Sequence, residues 1–127
     1  MVITDAKLPK ISCLLVTAGG RFELFKRSVQ CYLDQTYPNR ELVVVNEGPR
    51  IYQDQIAAHL DGRNDVRLIF LDGKFTLGSL RNISIGLCHG DIFVQWDDDD
   101  YNAPERLATQ YYHLSRHPES KVCYLTD

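Results

Sequence analysis

The chain has 127 residues, a size that fits one ordinary domain with a real hydrophobic core. Hydrophobic residues make up 44% and charged residues 24%, which excludes a disordered or fibrous class. The net charge of −3 argues against a nucleic-acid binder, so an anionic ligand would need a metal ion or a local cation here.

Residues 1–10 read as a lead-in without the apolar core of a signal peptide. No apolar run approaches the roughly 20 residues of a membrane-spanning helix. Cys13, Cys31, Cys88 and Cys123 form no C-x-x-C pair, and three of them lie in apolar runs. Buried free thiols in a reducing compartment are expected, not a zinc site. That points to the cytoplasm, with a peripheral place at a membrane left open.

Ile11–Thr17 is a short, nearly continuous apolar run, the pattern of a strand covered on both faces. It stops at the permissive turn Ala18-Gly19-Gly20-Arg21. Phe22, Phe25, Val29, Tyr32 and Leu33 then recur at near-helical period, and Tyr37-Pro38 ends that helix. Glu41–Val45 is a second buried strand, leaving through Asn46-Glu47-Gly48-Pro49. Ile51, Ile56, Ala57 and Leu60 predict a second helix, closed by Asp61-Gly62. Val66–Leu71 is a third strand. Gly78-Ser79 is expected to open a third helix, with Arg81 in its first turn and Gly90 after its end. Asp91–Trp96 is a fourth strand, and Ala103-Pro104-Glu105-Arg106 starts a fourth helix. Lys121–Leu125 reads as a fifth strand.

Strands alternate with helices throughout residues 11–127. That implies a Rossmann-like α/β fold: a mostly parallel sheet, helices on both faces, right-handed crossovers. In such sheets ligands bind beyond the carboxyl ends of the strands. Thr17, Asn46-Glu47 and Asp97–Asp100 all lie at such ends, so three separated segments converge on one edge.

The four consecutive acids Asp97, Asp98, Asp99 and Asp100 repel one another unless a cation joins them. Hard oxygen ligands suit magnesium, manganese or calcium. A helix–loop–helix calcium loop starting at Asp98 fails, because its sixth position would be Ala103 and its twelfth Thr109. Magnesium or manganese holding a phosphate group suits the pattern better. The plainer alternative is a solvated acidic turn with one Asp capping the next helix. His113 and His117 lack a third ligand and read as a solvated helix end. Trp96 reads as a core or interface residue more than as a stacking platform. Tyr111-Tyr112 reads as packing.

The ordered segments resemble family-2 glycosyltransferases of the GT-A fold, in their N-terminal nucleotide-sugar-binding portion. Gln35-Thr36-Tyr37-Pro38 matches the family's Q-T-Y-P. Glu41–Pro49 resembles its E-hydrophobic-V-V-V-D-D-G-S, and Leu80–Ser84 its A-R-N-x-G. The segment from Gly90-Asp91 through the four aspartates to Pro104-Glu105-Arg106-Leu107 resembles its D-x-D region. The resemblance implies transfer of a sugar from a nucleotide-diphosphate sugar, a UDP-sugar by family default, to an unknown acceptor, with Mn or Mg as cofactor. It implies Asp97 and Asp99 on the metal and Asp97 or Asp98 toward the ribose. It implies Glu47 toward the base, Thr17 lining the nucleotide pocket and Arg81 near base and diphosphate. Asp100 is expected to support the turn into the helix after it. Gly19 stands where an aromatic residue is usual, and Asn46 replaces an acid. The resemblance also places the acceptor half and the catalytic base beyond Asp127, so the fragment alone is expected to be inactive and to self-associate. A nucleotidyltransferase of related fold, hinted at by Ala18-Gly19-Gly20-Arg21, and a non-catalytic nucleotide-binding or interaction module are the alternatives.

Overall fold

The computed structural model describes residues 8–117. Four strands, β1 (Ile11–Thr17), β2 (Arg40–Asn46), β3 (Val66–Phe70) and β4 (Ile92–Gln95), form one sheet in the order β3-β2-β1-β4. Every pairing is parallel; β1 and β2 run in register from Ile11 opposite Arg40 to Thr17 opposite Asn46. The α/β architecture expected from the alternating pattern is therefore present. The fifth predicted strand lies outside the described residues.

Alternate strand residues feed two cores. Ile11, Cys13, Leu15, Leu42 and Val44 face one side, against α1 (Phe22–Leu33), α2 (Arg50–Leu60) and α4 (Arg106–Arg116). Leu14, Val43 and Val45 face the other, against Leu80 of α3 (Leu77–Leu87). Two-sided burial explains why β1 and β2 read as continuous apolar runs. Cys13 and Cys31 are buried free thiols, and Cys88 is half-buried and free.

Several boundaries move for identifiable reasons. The helix α3 begins at Leu77, because the Thr76 hydroxyl accepts the Ser79 N–H and caps it. Arg81 consequently falls beyond the first turn. The helix α4 begins at Arg106, not at Ala103-Pro104. Gln35, buried, donates to the Ala103 carbonyl and accepts the Leu107 N–H, so residues 103–105 are held as a turn with Gln35 as the cap. The Pro104 carbonyl is also taken, by the Thr36 N–H at 2.9 Å. The lead-in is partly structural: Leu8 packs on the larger core, and the Pro9 carbonyl accepts the Tyr37 hydroxyl.

Glu41 ties the opposite end of the sheet together. It is 4% exposed and accepts hydrogen bonds from the Ser12 hydroxyl and, at 2.7 Å, the His89 N–H. Burial alone would raise its pKa. The bonds from Ser12 and His89 and the nearby Arg67 charge outweigh that and hold it below the usual 4.5. A lowered folded pKa contributes stability that is present above the unfolded value and lost as pH falls through the folded one. Glu41→Gln is therefore expected to cost about 1–3 kcal/mol near neutrality, with the deficit narrowing as the pH falls below 4.5. Urea denaturation at both pH values checks this; a pH-independent deficit would contradict it.

Candidate functional site

The carboxyl ends of β1, β2 and β4 open into a cavity of about 400 Å³. Thr17, Glu47, Arg81, Asp97, Asp98 and Asp99 all line it. Residues spread over 83 positions of sequence thus meet at one place, because parallel strands deliver their exit loops to the same edge.

The close approach of the first two loops needs Gly48. A Cβ there would come within 2.7 Å of the Ala18 carbonyl oxygen and 2.9 Å of the Asn46 side-chain oxygen. Asn46 accepts the Gly48 N–H at 2.8 Å and donates to Gln53 at 3.0 Å, so the residue replacing an acid braces the loop. Glu47 follows and accepts the Phe75 N–H at 3.2 Å, which joins the exits of β2 and β3.

The acidic turn is anchored from below. The Trp96 N–H of the backbone extends the β4 ladder to the Leu14 carbonyl, and the indole N–H donates to the Ser28 carbonyl at 2.9 Å. The ring is fully buried, edge-on to Tyr32 and beneath the Arg106 guanidinium at 4.9 Å. It is a core residue and offers no stacking face to a ligand. The Ser28 hydroxyl donates to the Asp97 carbonyl at 2.6 Å, and Arg27 to the Asp99 carbonyl at 3.0 Å.

Each carboxylate then has its own surroundings. Asp97 accepts from the Gln95 amide at 3.0 Å. Asp98 accepts from the Thr17 hydroxyl at 2.8 Å. Thr17 has one proton to give, so the Tyr52 hydroxyl, also 2.8 Å away, must be the donor to Thr17. Thr17 is only 2% exposed, and its hydroxyl works within this relay. Of the three that line the cavity Asp99 is the exposed one, its side chain 44% exposed and 2.7 Å from Arg21. Asp100 is exposed beside Asp97. The hydrogen bond with Asp97, then partial desolvation and the neighbouring carboxylates, raise its pKa. The turn expected to rest on Asp100 is held by other groups: Gln35, and the Asn102 oxygen that accepts from Arg106 at 2.8 Å.

Among the described residues no three His, Cys, Asp or Glu side chains form a metal-ligating group. The donor set still suits magnesium or manganese, which are commonly held by one or two carboxylates plus substrate phosphates. Asp99 and Asp97 supply such hard oxygens at the cavity wall. Arg21, Tyr52, Ser28 and Gln35 were not singled out as site or scaffold residues by sequence reasoning. Two of them carried a signal: Arg21, a lone cation beside two glycines at a strand exit, and Gln35, within the match to the family's Q-T-Y-P.

A parallel sheet of order 3-2-1-4 with helices on both faces is a Rossmann-like α/β arrangement. Two solved structures show the same arrangement. The mannosyltransferase PcManGT from Pyrobaculum calidifontis, in complex with GDP-Man and Mn2+, matches at TM-score 0.76 and 19% identity, over 87% of this chain and 33% of that one. S. aureus TarS 1-349 in complex with UDP-GlcNAc matches at TM-score 0.74 and 20% identity, over 86% of this chain and 32% of that one. The fold is thus the GT-A type. The profile of glycosyl transferase family 2 matches residues 13–127, and the chain belongs to that family. An uncharacterized glycosyltransferase of Haemophilus influenzae is 29% identical over 88% of this chain and 36% of its own length. The putative colanic acid biosynthesis glycosyl transferase WcaA of Escherichia coli is 27% identical over 94% of this chain and 43% of its own. The chain therefore spans about two fifths of the length of these curated relatives. No helix among the described residues is long and apolar enough to cross a membrane.

Proposed function

We propose that this chain is the donor-binding portion of a metal-dependent glycosyltransferase that uses a nucleotide-diphosphate sugar. The observation that carries the reading is the convergence of Thr17, Glu47, Arg81, Asp97, Asp98 and Asp99 on one strand-end cavity. Membership of the family supports it, as does the presence of nucleotide sugars in the two structural neighbours.

In this reading Asp99 and Asp97 hold the divalent ion, Mn or Mg, together with the diphosphate. The ion, when bound, would neutralise charge building on the leaving diphosphate. Asp98, fixed through Oδ2 by the Tyr52–Thr17 relay, or Asp97 beside it, faces the ribose. Glu47, tethered through one oxygen to Phe75, keeps its other oxygen for an N–H of the base. Arg81 offers a positive charge from α3 across the cavity. UDP is the default donor nucleotide by family. The acceptor site and the base that activates the acceptor belong, we propose, to sequence beyond Asp127. The buried free thiols Cys13 and Cys31 support a cytoplasmic position.

Calorimetric titration of the chain with UDP tests the reading. Binding is expected with Mn2+ present and to disappear when the metal is chelated. A folded sample that binds no nucleotide in either condition would contradict it. Tighter binding of a nucleoside triphosphate than of UDP would favour nucleotidyl transfer instead.

A further inference from the structure

The acidic turn already has a cation of its own. The Arg21 guanidinium lies 2.7 Å from Asp99 Oδ2 and 3.8 Å from Asp98 Oδ1, and it lines the same cavity. Its side chain is 52% exposed, and among the described residues both of its carboxylate contacts come from the same turn. The backbone before it is permissive. Gly19 and Gly20 have φ of +97° and +80°, and a Cβ at Gly20 would meet nothing within 4 Å. The backbone after it is fixed, because the Arg21 carbonyl accepts the Phe25 N–H at 2.8 Å as α1 begins. A long cationic side chain thus pivots from a fixed root at the cavity mouth.

We propose that Arg21 is an exchangeable counter-ion of the donor site: it holds Asp99 until a divalent cation takes that carboxylate, and it then pairs with the nucleotide's diphosphate. This rests on the reading of the cavity as a donor site. The physical reason is competition. A divalent ion and a guanidinium cannot both take the same carboxylate oxygen at close range without strong repulsion. Asp99 oxygens occupied by the ion release Arg21, and a guanidinium released beside a diphosphate has a better partner, since its planar fork matches phosphate oxygens in pairs. Arg21 is in this sense a positioning residue for both ligands, with opposite signs. It opposes metal binding to the empty site and favours nucleotide binding to the metal-loaded one. The same pair explains how the turn tolerates its charge before any ligand arrives.

The opposite signs give a test that a merely structural arginine would fail. Mn2+ alone is titrated into the chain and into Arg21→Gln, followed by UDP at saturating Mn2+, all by calorimetry. Arg21→Gln is expected to bind Mn2+ about two- to five-fold more tightly, the size of an exposed ion pair relieved. It is expected to bind UDP about ten-fold more weakly, the size of one charge-assisted hydrogen bond lost. Arg21→Lys, which keeps the charge but not the fork, should restore wild-type Mn2+ affinity and part of the UDP affinity. Circular dichroism confirms the fold of each variant. A normal wild-type chain with Arg21→Gln shifting both affinities in the same direction, or neither, would overturn the exchange while leaving the donor site standing. A wild-type chain that binds no nucleotide with Mn2+ would overturn both.

Discussion

Asp99→Ala is expected to lower the affinity for UDP in the presence of Mn2+ by about 100-fold, with the fold intact. The size follows from what the side chain is asked to do. Partners that merely orient a metal ligand cost about 10- to 100-fold in affinity when lost, so a ligand itself should cost at least the upper figure. The intact fold follows from exposure. Asp99 packs into no core, and among the described residues its side chain bonds only with Arg21, an exposed ion pair worth about 0.2–1 kcal/mol. Its backbone carbonyl, which accepts from Arg27, survives the substitution. The control is Asp54→Ala, which removes another exposed, arginine-paired carboxylate, held by Arg50 on α2 away from the cavity. Calorimetry with both variants separates a local requirement from a general loss of negative charge. Equal UDP affinity in wild type and Asp99→Ala would remove Asp99 from the site.

Trp96→Ala should have the largest effect on stability, about 3–5 kcal/mol, because it empties the largest fully buried side chain. For a domain of this size that lowers Tm by roughly 12 °C or more. The loss has three parts. The indole fills the space between α1 and the sheet, its N–H satisfies the Ser28 carbonyl, and its face carries the Arg106 guanidinium. Without the ring Arg106 would sit over a void, still bonded to the Gln95 carbonyl and Asn102. Trp96→Phe keeps much of the volume and loses the N–H, so it should fall between. The consequence reaches the site, because Trp96 is the last residue before the aspartates and fixes where they point. Calorimetric melting of the three proteins checks the order; a Tm for Trp96→Ala within about 3 °C of wild type would contradict the account of this core.

Much of this was legible because burial writes itself into sequence. The runs Ile11–Thr17 and Glu41–Val45 are apolar on both faces, since helices cover both sides of a parallel sheet. The strand-end position of Glu47 and of the aspartates then followed from parallel topology alone. What was not legible depends on contacts far apart in sequence. The fourth helix starts late because Gln35, 72 positions before Leu107, supplies its cap. Gln35 matched a recurrent tetrapeptide, but the tetrapeptide says nothing of what the amide bonds to. Tyr52 carries no mark of its own within the second helix; its hydroxyl orients Thr17 only because α2 packs beside the exit of β1. Arg21 looked like a turn residue until the fold placed it 2.7 Å from a carboxylate 78 positions away.

The separate roles given to the four aspartates meet in one place that can be looked at directly. Crystals of the chain grown with UDP and Mn2+ would show the metal by its anomalous scattering. The account predicts a peak bridging the Asp99 carboxylate and the UDP diphosphate, with Arg21 turned from Asp99 toward the phosphate oxygens. A peak away from the aspartates, or UDP seated at the opposite end of the sheet near Arg40 and Arg67, would contradict it.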